Sequence, residues 1–273
     1  MNRRLALLPC AAAILGTAVM ALSCGTGGDV AGGTGAGNPG VTVSVSFYAD
    51  TGISGISLAK SLTGMELAKR ELPIEDLGNT KFTITGASFT TQRVTFTTDP
   101  AADCAALSGT LSDQLRCDNG AITAERPMLF DALEGTAAGL PPLPPAVYTG
   151  VVFTMDSAAA LHLTGTFIFE DTLRSFTIDL PLAGEVMYRL PGHSVTLDDG
   201  DSALFVVSLN ADKWLNDIDL GECVENGGIP LDAGGNLVID GTVPPGACEA
   251  IPAMMLDNFI SSGTLSITAK KAD

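Results

Sequence analysis

Histidine is nearly missing from this sequence: His162 and His193 are the two among 273 residues. Any centre needing three imidazoles is thereby excluded. No Cys-x-x-Cys pair occurs either, so the common zinc-ribbon spacing is absent. Basic side chains are also scarce, 14 against 31 acidic ones. Such a surface repels phosphate backbones and anionic lipid headgroups, which excludes nucleic acid as a partner. There is no internal repeat, and helical periodicity is thin. What the chain has in quantity is hydroxyl-bearing, β-branched and turn-forming residues.

One apolar run is long. Leu5 to Leu22 carries no charge and follows Arg3-Arg4. A basic start, an apolar stretch and small residues form the pattern of a secretory signal. The run is near the lower limit for a membrane-spanning helix. Pro9, Gly16 and its many alanines argue for a signal instead. It closes on Ala21-Leu22-Ser23-Cys24, which resembles the lipobox of bacterial lipoproteins. Cys10, behind Leu8 and Pro9, lacks the small neighbours. The resemblance implies a diacylglyceryl group on the Cys24 thiol, cleavage after Ser23 and acylation of the new amine. Each buried methylene adds about 0.8 kcal/mol, so two or three chains would make a lasting anchor. The partner so implied is a membrane, held through lipid. Gly25 rather than aspartate follows Cys24, which favours the outer membrane, on its periplasmic face or at the cell surface. Without residues 1–23 the chain keeps 12 basic and 31 acidic side chains, a net charge of −19.

Residues 24–40 read as a flexible tether. Gly25 to Gly40 is half glycine with almost no bulk, and cannot bury enough apolar area to order itself. It spans roughly 20–25 Å on average and about 55–60 Å when stretched. Residues 41–273 then supply one large domain, or two divided near the Pro-rich segment Leu140 to Pro145. Val41 to Phe47 alternates apolar and hydroxyl residues, as a strand with one buried face does. Lys81–Thr85, Phe89–Thr97, Tyr148–Met155, Leu161–Phe169, Ser175–Leu180, Gly184–Leu190, Ser194–Leu197, Ala203–Leu209, Asn236–Ile239 and Gly263–Ala269 read alike. Many short strands between turns predict an all-β, antiparallel β-sandwich of immunoglobulin- or transthyretin-like kind. Helix is expected only at Gly64–Leu72, ended by Pro73, and as short pieces at Ala211–Leu215 and Pro252–Ile260.

Four cysteines remain beyond Cys24: Cys104, Cys117, Cys223 and Cys248. An even number in an exported chain suggests disulfides. Three pairings are open. Cys104 with Cys117 and Cys223 with Cys248 is the expected one, since each pair brackets a polar, turn-rich segment. Parts of the body also resemble a group of bacterial surface lipoproteins that carry a β-sandwich of unknown function. The residues concerned are Pro144 to Phe153, Leu163-Thr164-Gly165 and Phe205 to Leu215, which includes Lys213-Trp214-Leu215. That resemblance implies a fold more than an activity.

Four sites have chemistry to weigh. Gly192-His193-Ser194-Val195-Thr196 follows the start of a nucleophile elbow, but the closing glycine is missing and Ser194 enters a strand. Its base would be His162, which lies in a strand of its own. Asp198, Asp199 and Asp201 surround Gly200, where three carboxylates could ligate calcium. The same residues also make a hairpin turn of the Asp-Gly kind. His162 and His193 could share copper or zinc if their strands align. Trp214, the sole tryptophan, could stack on a sugar or plug the end of the core. The expectation is a non-enzymatic, lipid-anchored envelope protein, a binding or structural module with a cell-surface protein or glycan partner. A cell-envelope hydrolase would need Ser194 beside a histidine and a carboxylate. A metal carrier would need ligands that converge.

Overall fold

The structure, a computed structural model, describes residues 40–51, 71–135, 137–155, 160–192 and 194–272. Cys24, the tether up to residue 39, His193 and most of the expected helix at Gly64–Leu72 lie outside them. The chain from Gly37 to Asp273 makes one compact unit. Its elements begin with β1 (Thr42–Asp50), β2 (Leu72–Glu75), β3 (Lys81–Thr98), α1 (Cys104–Leu107), β4 (Leu115–Asp118) and β5 (Ala121–Ala124). Next come β6 (Met128–Asp131), β7 (Ala138–Gly139), β8 (Ala146–Met155), β9 (Ala160–Phe169), β10 (Thr172–Pro181) and β11 (Gly184–Arg189). The rest are β12 (Val195–Leu197), β13 (Ser202–Asn210), α2 (Leu220–Glu225), β14 (Leu237–Ile239), α3 (Ile251–Ser261) and β15 (Gly263–Lys270). The fold is all-β and sandwich-like, with a few short helices.

The large sheet is organised by β3. The sequence suggested two strands here, separated near Gly86. Instead one strand of 18 residues runs through, and a register shift between Ile84 and Gly86 leaves Thr85 out of the β9 ladder as a bulge. One edge of β3 takes β9 along its first half and β8 along its second. The opposite edge takes β2, β6 and β5 in turn. Beyond them, β10 pairs with β9, and β11 and β12 pair with β8. Glu170-Asp171 closes the β9–β10 hairpin with both residues at positive φ, the twist that a two-residue hairpin turn requires. Gly165 in β9 has no room for a side chain. A Cβ there would run into the Thr83 carbonyl and come within 2.7 Å of the Phe176 ring.

The second sheet has the order β15-β13-β1-β7. The expectation of a wholly antiparallel sandwich needs correction here. β1 pairs with β13 in parallel, Val45 opposite Phe205, and β10 pairs with β14 in parallel. Parallel neighbours need a long crossover, and about 150 residues separate β1 from β13. Strand alternation carries no information about such distant pairing.

The two sheets close on an aromatic core. Phe47 lies 4.7 Å from Phe89, 4.9 Å from Phe130 and 4.7 Å from Phe153, each ring edge-on. Phe205 meets Phe96 at 5.3 Å. Phe82, Phe167 and Phe176 continue the core toward the Lys81 end of β3. α3 buries Ile251, Met255 and Phe259, a four-residue spacing that puts them on one side of the helix. Leu72 and Pro73, assigned to the end of a helix by the sequence pattern, belong to β2. The Pro-rich segment is not a domain boundary. Leu140 and Leu143 donate their amides to Val43 and Val41, so it forms the border of β1 within the same unit. Among the described residues no helix is long and apolar enough to cross a membrane.

Candidate functional site

The expected disulfides form: Cys104 pairs with Cys117, and Cys223 with Cys248. The first closes the loop that holds α1 and β4. The second ties α2 to the segment before α3.

The acidic turn holds a cation, but that cation belongs to the protein. Lys271 Nζ donates to Asp201 Oδ2 at 2.8 Å, to Asp198 Oδ2 at 3.0 Å and to the Thr196 carbonyl at 3.1 Å. Asp201, 2 % exposed, also accepts the amides of Asp198 at 2.8 Å and Ala272 at 2.9 Å. Asp199 adds no oxygen to this clasp. Among the described residues no three acidic, histidine or cysteine side chains gather as a metal cluster. The calcium reading of Asp198, Asp199 and Asp201 therefore gives way to a clasp that fixes the end of β15.

The Lys271 hydrogen bond, and after it those two amides, lower the Asp201 carboxyl from its ordinary 3.8 to about 2. A lowered folded-state pKa contributes stability above the ordinary value, and that contribution fades as pH falls toward 2. Asp201→Asn is therefore expected to be less stable than wild type above pH 5, with the gap narrowing between about pH 4 and pH 2. Urea unfolding across that range measures it. A gap that stays constant down to pH 2 would rule the clasp out as its source.

Ser194 and His162 do not meet. Val195 pairs with Tyr148, which pairs with Thr98 of β3, whereas His162 pairs with Ser88. From Thr98 to Ser88 is roughly 33 Å along the strand. His162 bonds instead to Asp179 through Nδ1, at 2.6 Å. Both side chains are nearly half exposed, so the pair adds little stability. Counting back from the Glu170-Asp171 turn brings 162 opposite 179, so the hairpin register was the signal for this pair. Ser88 stands in the same cross-strand row. Among the described residues no hydrogen bond joins it to His162, and neither cleft described below includes it. The elbow-like run at Gly192–Thr196 therefore does not bring Ser194 to His162. Trp214 is 1 % exposed, donates to Ser262 Oγ at 3.2 Å and packs 5.1 Å from Phe259. It plugs the core and is no sugar platform.

The feature that sequence reasoning missed lies at the Lys81 end of the large sheet. A cleft of about 590 Å³ opens there on the solvent face of β2, β3, β9 and β10. Glu75 and Lys81 face each other across the β2–β3 ladder. Thr83 and Thr166, also direct neighbours, line it with hydroxyls. Pro73, Ile168 and Leu173 add apolar surface, and Asp212 reaches in from the 3₁₀ turn at Ala211–Lys213. The β2 wall is fixed from below. Buried Asp76 accepts the Thr80 amide at 2.7 Å and the Gly221 amide at the start of α2 at 2.8 Å. Leu77 N–H donates to the Ile218 carbonyl at 2.8 Å. Among the described residues none of Glu75, Lys81 and Asp212 is in an ion pair.

A second cleft, about 470 Å³ and mostly apolar, lies at the other end of β3 among Pro100, Ala102, Leu107, Pro144, Val147 and Leu197. The described chain begins at that end: Gly40 accepts the Gly200 amide, and Val41 bridges to Leu143. No family model, curated protein or solved structure matches the chain.

Proposed function

We propose that the chain is a lipid-anchored, non-catalytic binding module of the cell envelope. The observation that carries this reading is the polarity of the body. Gly40, where the glycine-rich segment joins it, lies at the Thr98 end of β3, and the charged cleft lies at the Lys81 end. Those ends are roughly 55 Å apart along the strand. Lipid on Cys24, joined to the body through residues 25–39, would present the far cleft to the surroundings and leave the near end by the membrane. The negative charge supports the same reading, since it keeps the domain off anionic headgroups. The arrangement suits display on an outer-membrane surface, on either face.

The anchor is tested at Cys24. The wild-type chain is expected to take up labelled palmitate and to partition into the detergent phase of a Triton X-114 separation. Cys24→Ala should lose both. Equal labelling of the variant would refute the anchor.

A further inference from the structure

We propose that the cleft at the Lys81 end binds short peptides with free termini. This deepens the binding-module reading and rests on it. The argument starts from charges that should have paired. Side chains directly opposite on antiparallel strands stand about 5 Å apart at Cβ, and opposite charges there attract. Glu75 and Lys81 hold that relation without forming an ion pair. With Asp212 they leave one cation and two anions around a single cleft. Lys81 suits a carboxylate, and Glu75 with Asp212 suits an ammonium. The Thr83 and Thr166 hydroxyls both donate and accept, as peptide amides and carbonyls require. Ile168 and Leu173, 48 % and 68 % exposed, offer contact to an apolar side chain.

Other ligand classes fit less well. Sugars favour an exposed aromatic face, but the rings of Phe82 and Phe167 are turned inward, 2 % and 1 % exposed. Covering the cleft with an acyl chain would strip water from three charges with nothing to replace it. A divalent cation would face Lys81, and no metal-type cluster exists among the described residues. Nucleic acid is repelled by the net charge. The cleft is within the range of roughly 300–1,000 Å³ common for small-molecule sites. Two acids against one base also favour a zwitterion or a basic peptide over an acidic one.

The test uses the full chain with Cys24→Ser, titrated calorimetrically with the tripeptide Leu-Ala-Leu and with its N-acetylated and C-amidated forms. Saturable binding at one site is expected, with the amide and acetyl forms weaker by about tenfold each. Lys81→Gln should weaken the free acid by a similar factor and leave the amide unchanged. Asp212→Asn should act in the same way on the free amine and spare the acetylated form. Leu129→Ala, exposed but outside the cleft, should change nothing. Lack of saturation by about 10 mM, or equal affinities across the three peptides and four proteins, would overturn the proposal. That failure would sink the ligand class alone, because the anchored-module reading stands or falls on labelling at Cys24.

Discussion

Phe47→Ala lowers the unfolding free energy by about 3–5 kcal/mol and the melting temperature by roughly 8–15 °C. Phe47 is 1 % exposed, and its ring meets three phenylalanines within 5 Å, from β3, β6 and β8. It is thus one of the contacts, beside Phe205 with Phe96, through which the small sheet grips the large one. Burial of the ring accounts for about 1.5–3 kcal/mol. The rest comes from the cavity left behind, since rings held on three different strands cannot all move inward, and from the lost edge-to-face contacts. Leu129→Ala, at a side chain 72 % exposed, serves as the control and should stay within about 0.5 kcal/mol of wild type. Urea midpoints measured by circular dichroism decide the matter. A change below about 1 kcal/mol for Phe47→Ala would mean that the sheets do not close on this ring.

The fold class was legible because alternation survives in the strands. Val43, Val45 and Phe47 face inward as their spacing required. Two kinds of information were not local. Pairing between β1 and β13, and hence the mixed sheets, depends on contacts between distant parts of the chain. The bulge at Thr85 merged two expected strands because a bulge tolerates one unpaired residue without ending the ladder. The same division applies to the sites. Both disulfides followed from spacing, since each joins residues at the ends of one turn-rich segment. The acidic turn was visible as a cluster, but its cation, Lys271, comes 70 residues after Asp201 and reaches it along β15. The charged cleft had no sequence signal at all. Glu75, Lys81, Thr83, Thr166 and Asp212 are ordinary surface residues until three strands and a 3₁₀ turn place them together.

Loss of the Cys223–Cys248 bond should cost more than loss of Cys104–Cys117, and should be felt at the cleft. The separations are 25 and 13 residues, which the chain-entropy model converts to about 3.5 and 3 kcal/mol. Burial widens the difference. Cys248 is 6 % exposed and belongs to the main core, and a Cβ on Gly228 would lie 2.7 Å from its sulfur. Cys117 only packs against that core from its edge. The longer-range consequence runs through α2. Cys223 lies in this helix, Gly221 at its start donates to Asp76, and Asp76 follows Glu75 on the β2 wall. In the double variant Cys223→Ala/Cys248→Ala, the amides of Gly221 and Ile74 should therefore exchange faster with solvent. In Cys104→Ala/Cys117→Ala they should keep their wild-type protection, because the loop those residues close is at the other end of β3. If both double variants lose stability equally and leave Ile74 equally protected, α2 does not support the cleft, and the β2 wall must be held by its ladder to β3 alone.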